Sequence, residues 1–205
     1  MSTAYLVPAA SAEVEDVVRR SRFVTRAARA ASPEAAARFV QETRDRFPGA
    51  THYCWAYNAG EPGSTARVGM SDAGEPHGTA GMPMLTVLLH SGVGEVVAVC
   101  ARYYGGVKLG KGGLARAYAG GVKHVLGACP TTERIERTRV VVTVGYEASG
   151  RVDRILEELG AIVTQRDFDS AVHYHILVPS DRRTDLADAI AGVTGGRGRL
   201  AGETG

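Results

Sequence analysis

The stretch YYGGVKLGKGGLARAY at residues 103–118 places five glycines between a strand and a helix, and it constrains the fold more than any other segment. Residues 95–104 are rich in β-branched side chains, which favour a strand, and Leu114 begins an apolar pattern with helical spacing. Glycine permits backbone angles that other residues avoid, so the chain can change direction here within a few residues. The sequence therefore predicts a tight strand-to-helix turn.

Two nucleotide-binding patterns overlap this turn, and neither is complete. Gly105, Gly110 and Lys111 have the spacing of a P-loop, but Gly112 stands where a Ser or Thr should hold magnesium. A dinucleotide-binding fingerprint at Gly110, Gly112 and Ala115 lacks the acidic residue that should end a strand about 20 residues later. We therefore expect neither nucleotide hydrolysis nor a bound cofactor.

The segment from Val96 to Thr132 contains no Asp or Glu, although the whole chain has a net charge of only +2. Its basic residues and glycines form a candidate surface for binding phosphate groups of nucleic acid. The basic residues are Arg102, Lys108, Lys111, Arg116 and Lys123, and the glycines are Gly105, Gly106, Gly110, Gly112 and Gly113. A helix N-terminus adds partial positive charge to such a turn. Alternatively, the glycines serve only the fold, and the sequence leaves both alternatives open.

A second candidate site combines the loop SDAGEPHGTAGMP at residues 71–83 with the strand predicted over residues 51–57. If the loop folds over the strand, Asp72, Glu75 and His52 converge on the glycine turn as a small-ligand or acid–base site. The alternative is turn chemistry, in which Asp72 caps the turn and Glu75 pairs with an arginine. The spacing of these side chains matches no zinc pattern, so we expect no metal.

Tyr53, Trp55 and Tyr57 alternate along the predicted strand and therefore project from one face of it. Such a row can stack unpaired bases, or it can fill a core. The chain has one Trp and four Phe. Because so few other large aromatic side chains exist to fill the core, we predict that this row belongs to it.

The chain has three cysteines without framework spacing, and its N-terminus lacks the basic start and apolar core of a secretory signal. No apolar run approaches the ~20 residues that are needed to span a bilayer. We therefore expect reduced thiols, no membrane partner and a cytoplasmic location.

The pattern of predicted elements divides the chain into two α+β domains, residues 1–132 and residues 133–205. The second domain has the order β-α-β-β-α-β, which is the ferredoxin-like arrangement. Residues 17–28 are predicted as one strand after a loose lead-in. Residues 129–138 are predicted as a linker.

Three motifs together resemble the YigZ/IMPACT family: HYCWAY at residues 52–57, SDAGEPHGTAGMPML at 71–85 and RYYGGVKLGKGGLARAY at 102–118. The resemblance implies an N-terminal domain similar to the second domain of ribosomal protein S5. It also implies a ferredoxin-like C-terminal domain similar to the fifth domain of elongation factor G. The implied role is translation control through binding of RNA or the ribosome, without an established reaction. A separate alternative is an adaptor that binds a translation factor or another protein through the sheet of the second domain.

The chain departs from the family pattern at two positions. The family commonly has a second Asp where this chain has Ala73, and a Lys where it has Met82. Roles that need that carboxylate or that lysine are therefore not carried over. We predict a translation-associated binding factor without catalysis; the alternative is an enzyme or sensor for a small phosphorylated ligand at the same turn.

Overall fold

A computed structural model describes residues 4–202 of the chain. Their contacts form two compact units, one spanning Tyr5–Arg134 and the other beginning at Ile135. The sequence analysis placed the boundary between residues 132 and 133. Each unit contains helices, strands and a hydrophobic core of its own, so the chain has a two-domain α+β fold.

The first unit combines a five-stranded sheet and a two-stranded sheet with helices. Its strands are β1 (Tyr5–Pro8), β2 (Ala12–Val18), β3 (Ser21–Arg29), β4 (His52–Asn58), β5 (Val68–Ser71), β6 (Val96–Tyr103) and β7 (Thr131–Arg134). Its helices are α1 (Pro33–Arg46), α2 (Gly81–Leu89) and α3 (Lys111–Ala128). The larger sheet is antiparallel with the order β2-β3-β6-β4-β5.

Helices cover both faces of the five-stranded sheet. On one face, Phe23 of the sheet is buried together with Met84 of α2 and Tyr118 of α3. On the other face, Val99 of β6 is buried with Phe39 of α1. The centre of the sheet is therefore enclosed, and the polar chemistry of this unit lies at the ends of its strands and in its loops.

Helix α1 begins as the sequence predicts. The Ser32 hydroxyl accepts a hydrogen bond from the backbone N–H of Ala35 at 3.2 Å, and Pro33 occupies the first helical position. A Ser cap satisfies an N–H that would otherwise lack an intrahelical partner, and proline has no N–H to satisfy there.

Two segments that the sequence analysis predicted as irregular form strands. The lead-in contains β1 and β2, and the predicted linker contains β7. Strands β1 and β7 pair antiparallel, with Tyr5 opposite Arg134 and Pro8 opposite Thr131. Both are four residues long. They are too short to show a clear alternation, and each finds its partner at the other end of the unit.

The prediction of a single strand over residues 17–28 is wrong, because β2 and β3 form a hairpin. Their turn consists of Arg19 and Arg20, which have φ angles of 47° and 68°. Positive φ at both positions is typical of the tight two-residue turn that usually contains Asn-Gly or Asp-Gly. An Arg-Arg pair contains neither Asn nor Gly, so its residue types do not mark it as a tight turn.

The second unit has the predicted ferredoxin-like topology. Its strands are β8 (Arg137–Val144), β9 (Ile162–Phe168), β10 (Val172–Pro179) and β11 (Arg199–Gly202), and its helices are α4 (Ser149–Glu158) and α5 (Arg183–Thr194). The sheet is antiparallel with the order β11-β8-β10-β9. Buried residues of this sheet, such as Tyr174, pack with Leu156 of α4 and Ile190 of α5. None of the helices within residues 4–202 combines the length and apolar character needed to cross a bilayer.

Candidate functional site

A cavity of about 540 Å³ lies in the first unit at the N-terminus of α3. Its volume falls within the ~300–1,000 Å³ range of small-molecule sites. The start of β4, the loop before α2 and the segment joining β6 to α3 all contribute to its lining, which includes His52, Glu75, Arg102, Lys108, Gly110 and Lys111. We call this cavity the α3 cleft. It brings some residues of both candidate sites of the sequence analysis to one place.

A cross-strand pair forms the floor of the α3 cleft. His52 on β4 lies directly opposite Arg102 on β6, so the two side chains project from the same face of the sheet. The Nδ1 atom of His52 is 2.9 Å from the carbonyl oxygen of Ala73. Because a carbonyl oxygen only accepts, His52 donates from Nδ1, and this bond fixes the orientation of its ring.

Glu75 and Arg102 form a buried ion pair at the cleft. Arg102 Nη1 lies 2.5 Å from Glu75 Oε1, and the two side chains are 6% and 3% exposed. The Tyr118 hydroxyl donates to the same carboxylate oxygen at 2.8 Å. Burial raises the pKa of the Tyr118 hydroxyl, which therefore remains a donor. The charge of Arg102 is thus compensated inside the protein, so Arg102 is not a free cation of the basic surface predicted from the sequence.

Arg102 nevertheless keeps one unused hydrogen-bond donor. Its Nη2 donates to the Ser21 hydroxyl at 3.4 Å, whereas its buried Nε has no acceptor among residues 4–202. The ring of Tyr104 lies beside the guanidinium, with its centroid 5.5 Å from Cζ. Buried polar groups are normally satisfied, so an unused N–H beside a cavity marks a place where an acceptor is missing.

Lys108 and Lys111 provide the uncompensated positive charge of the α3 cleft. Both are exposed, and neither has a carboxylate partner in the described part of the chain. Gly110 precedes α3 and offers no side-chain cap, and the first turn of the helix contains no acidic residue. The first N–H groups of a helix lack intrahelical acceptors, and the helix dipole adds to the field of the lysines.

Gly105 serves the fold and not the cleft. A Cβ atom at Gly105 would collide with the backbone of Arg20 in the β2–β3 turn. The N–H of Gly105 also donates to the Ser21 hydroxyl at 3.1 Å. The phosphate contact predicted for Gly105 is therefore corrected to a structural role. Gly113 has a packing role as well, since a Cβ there would lie 3.0 Å from the Leu109 side chain.

The other glycines of the turn leave open space. Gly106 and Gly110 have φ angles of 82° and 73°, in the region that favours glycine, and a Cβ atom at either would meet nothing within 4 Å. A Cβ at Gly112 would meet only Arg116 Nη1, at 3.7 Å. The start of α3 is therefore accessible from the solvent.

Asp72 does not join the α3 cleft, which corrects its predicted place beside His52 and Glu75. Its carboxylate accepts from the backbone N–H groups of Ala80, Gly81 and Gly78 at 2.9, 2.8 and 2.8 Å. Partial burial opposes its ionisation, but these three bonds outweigh that effect and lower the pKa of the carboxyl. Asp72 therefore holds the loop and the start of α2.

Metal-type clusters of three or more His, Cys, Asp or Glu side chains do not occur within residues 4–202. The buried cysteines of the first unit have raised pKa values. Burial raises the pKa of the Cys100 thiol to about 12 and also raises that of Cys54. Both thiols remain protonated at neutral pH, so neither is an activated nucleophile there.

Arg116 and Lys123 lie outside the α3 cleft. Arg116 borders a smaller neighbouring cavity of about 250 Å³, where Arg19 also contributes. Lys123 lies about 18 Å along α3 from Lys111 at 1.5 Å per residue, and it borders a separate hollow beside α2. The predicted basic surface is therefore divided, with Arg116 next to the cleft and Lys123 remote from it.

Sequence reasoning missed Arg19 and Arg20, which are exposed in the β2–β3 turn. Neither forms an ion pair within residues 4–202. They were overlooked because residues 17–28 were predicted as one strand. The signal that could have revealed them is the Arg-Arg pair itself, since two adjacent charged residues interrupt the alternation of a half-buried strand.

The aromatic row on β4 faces α1, on the other side of the sheet from the α3 cleft. Trp55 and Tyr57 stack with ring centroids 5.9 Å apart and an interplanar angle of 12°, and both pack against the core beneath α1. The Tyr53 hydroxyl donates to the carbonyl oxygen of Phe47 at 2.6 Å. Trp55 and Tyr57 therefore pack against the core as partly buried side chains, and Tyr53, also partly buried, is not part of that cluster, so the predicted core row is met only in part.

Comparison with protein families assigns each of the two units. The family model described as the Impact N-terminal domain matches residues 19–126, and the model described as a domain of unknown function (DUF1949) matches residues 142–197. The chain belongs to the IMPACT family. All residues that line the α3 cleft of this IMPACT-family chain fall within the first match.

Relatives resemble the chain over most of its length. The IMPACT family member YigZ of Escherichia coli is 36% identical over 187 residues, which cover 91% of this chain and 92% of the relative. An IMPACT family member of Haemophilus influenzae is 38% identical over 169 residues, or 82% of each chain. A crystal structure described as that of a hypothetical protein has a TM-score of 0.72 and 36% identity, and the match covers 98% of both chains. The family resemblance predicted from three motifs is therefore confirmed.

Proposed function

We propose that this IMPACT-family chain is a cytoplasmic, translation-associated factor that binds RNA, including the RNA of the ribosome, through phosphate groups at the α3 cleft. The observation that carries the proposal is the pairing of two uncompensated lysines with the open N-terminus of a helix. Lys108 and Lys111 border the same cavity as Gly110, the residue that precedes α3. Helix N-termini and lysines both favour phosphate oxygens.

The charge balance at the cleft supports an anionic partner. Glu75 compensates Arg102, so Lys108 and Lys111 retain a surplus of positive charge. The exposed side chains of Arg19 and Arg116 extend this positive surface beside the start of α3. A polyanion that follows these side chains has several of its phosphates neutralised, and the displaced counterions favour binding.

Tyr104 adds a group that suits single-stranded RNA. Its side chain borders the α3 cleft, and the residue is 48% exposed. Aromatic rings beside basic residues stack unpaired bases without strong sequence preference. The cleft therefore combines phosphate-binding groups with a stacking surface, which double-stranded RNA would not use.

The test is RNA affinity measured over a salt series. Replacing Lys108 and Lys111 by Glu should weaken binding strongly and flatten the dependence of log K on log salt by about 0.7 for each lost phosphate contact with single-stranded RNA. Lys123→Glu is the control, because it changes the same charge on α3 but lies away from the cleft. Unchanged affinity and slope in the double variant would exclude RNA binding at this site.

The identity of the partner requires a second experiment. Ribosome co-sedimentation over the same salt series, followed by sequencing of crosslinked RNA, should recover RNA fragments attached near the α3 cleft. A protein partner is distinguished by capture that persists after nuclease treatment. Such capture without crosslinked RNA would indicate a protein-binding factor and would contradict the proposal.

A further inference from the structure

We infer that the α3 cleft recognises a terminal phosphate monoester of a nucleotide in preference to the phosphodiesters inside a strand. This inference rests on the proposed function, because it takes phosphate as the ligand of the cleft. It goes further by naming the kind of phosphate.

The size of the cleft suits the end of an RNA strand and not its middle. The cross-strand pair of His52 and Arg102 lines it from the sheet, and Glu75 with Pro76 lines it from the loop before α2. A volume of about 540 Å³ accepts one nucleotide-sized group. An internal phosphate carries a nucleotide on each of its two sides, whereas a terminal phosphate carries only one.

The charge of the cleft matches a dianion. A phosphate monoester carries about −1.5 to −2 charges near neutral pH, whereas each phosphodiester carries one. The cleft offers the two uncompensated charges of Lys108 and Lys111 together with the start of α3. The extra negative charge of a monoester therefore gains an interaction that a diester cannot make.

An independent feature also indicates a ligand. Arg102 lines the cleft with a side chain that is only 6% exposed, and its Nε finds no acceptor among residues 4–202. This lining residue thus carries a buried donor that no group of residues 4–202 uses. Beside it, the exposed ring of Tyr104 provides a flat surface for the base attached to the phosphate.

The phosphate monoester has two possible sources, the 5′ end of an RNA strand and a free nucleoside monophosphate. Both present the same group to the cleft. They differ in whether the rest of the strand also contacts Arg19 and Arg116 beside α3. An RNA end would use both surfaces, whereas a free nucleotide would use the cleft alone.

The experiment compares one short single-stranded RNA in three forms, with a 5′-monophosphate, a 5′-hydroxyl and a 5′-methylphosphate. The methyl ester keeps the phosphate but has the charge of a diester. We expect the monophosphate form to bind about tenfold more tightly than the other two, as one additional charged contact would produce. In parallel, adenosine 5′-monophosphate is added to the protein and the midpoint of thermal unfolding is measured. A rise in the midpoint would show that a free nucleoside monophosphate binds.

Each outcome decides between the two proposals. Equal affinity for the three RNAs, lost in the Lys108→Glu/Lys111→Glu variant, would overturn the inference and leave the proposed function standing. Stabilisation by adenosine 5′-monophosphate without affinity for any RNA would support the inference and contradict the proposed function. Binding of neither RNA nor the nucleotide would overturn both.

Matched variants test whether the preference for the 5′-monophosphate form arises at the α3 cleft. Lys111→Gln should reduce the ratio of affinities for the monophosphate and hydroxyl forms to near one, whereas Lys123→Gln should leave the ratio unchanged. Both residues are exposed, so neither change should disturb folding, and thermal unfolding checks this. A ratio that survives in Lys111→Gln would place the terminal phosphate elsewhere on the protein.

Discussion

Two carboxylates of the first unit are buried to the same degree and serve different purposes. The side chains of Glu75 and Glu95 are each 3% exposed, and each is paired with arginine. The partner of Glu75 is Arg102, which is itself only 6% exposed. The partners of Glu95 are Arg29 and Arg134, whose side chains are 50% and 31% exposed.

Glu95 connects strands that are distant in the sequence. Arg29 belongs to β3 and Arg134 to β7, and the Tyr5 hydroxyl of β1 donates to Glu95 at 3.1 Å. Burial and the bond to Glu95 raise the pKa of Tyr5 to about 12. Glu95 therefore fixes the two-stranded sheet against the rest of the unit.

Glu75, by contrast, borders a cavity with uncompensated lysines. The comparison teaches that a buried carboxylate–arginine pair does not by itself mark a functional site. Both carboxylates are buried and make short contacts to arginine, and both hold distant elements together. The distinguishing features are the open volume and the unpaired cations beside Glu75.

The largest effect is expected from Glu75→Ala. This change leaves Arg102 charged and buried without a partner, which should lower the free energy of unfolding by about 3–5 kcal/mol. Urea unfolding measures it. Because a paired apolar replacement removes the unpaired charge, Glu75→Leu combined with Arg102→Met should recover much of the loss. A loss below about 1 kcal/mol in Glu75→Ala would show that water reaches Arg102.

Glu95→Ala should lower the free energy of unfolding by a smaller amount, about 1–3 kcal/mol. Arg29 and Arg134 are partly exposed, so both can turn to water when their carboxylate partner is lost. The same urea experiment compares the two variants directly. If Glu95→Ala proved as destabilising as Glu75→Ala, the exposure of the arginines would not be what separates the two clusters.

Asp72 tests how the loop that carries Glu75 is held. Asp72→Ala removes the acceptor of three backbone N–H groups and should cost about 1–2 kcal/mol, as capping residues do. The folded state lowers the pKa of Asp72, so its stabilisation is complete above the unfolded pKa, about 3.9. It is lost as the pH falls through the folded value.

The measurement for Asp72 is unfolding free energy as a function of pH. The difference between wild type and Asp72→Asn should be constant near neutral pH and should shrink below about pH 4. Asn retains one acceptor oxygen, so at neutral pH it should be less destabilising than Ala. A difference that grows on acidification would contradict the assigned role.

The smallest effect concerns backbone strain near each carboxylate. Ala73, close to Glu75, has a φ of 44°, and Glu95 itself has a φ of 46°. Ala73→Gly should relieve this strain and raise the unfolding free energy by about 0.5–1 kcal/mol. Thermal unfolding measures it. Lower stability would mean that the entropy of the unfolded glycine chain outweighs the strain.

Part of the site followed from the sequence, since Lys108, Lys111 and Glu75 line one cavity. Arg102 shares a face of β6 with the buried Cys100, yet the sequence analysis placed it on a phosphate-binding surface, because the charge pattern alone does not show burial. Its partner Glu75 was foreseen only as a residue that pairs with some arginine. The pairing depends on how the loop before α2 folds back over the sheet, and no local pattern encodes that.

The fold shows the same limit. The order of elements predicted the topology of the second unit, because its order β-α-β-β-α-β is typical of one known arrangement. In the first unit, β1 and β7 escaped prediction, since their stability depends on distant partners such as Glu95. Elements that rely on one another across the chain are visible only once the chain is folded.

The pairing of β1 with β7 brings the entry and exit points of the first unit side by side, with Tyr5 opposite Arg134. A domain whose ends are neighbours can be inserted into a surface loop of another protein or rejoined in a different order with little distortion. All residues that line the α3 cleft lie between these two ends in the sequence. The first unit therefore has the end geometry that domain insertion or fusion requires, and its cleft lies away from the ends that would be joined.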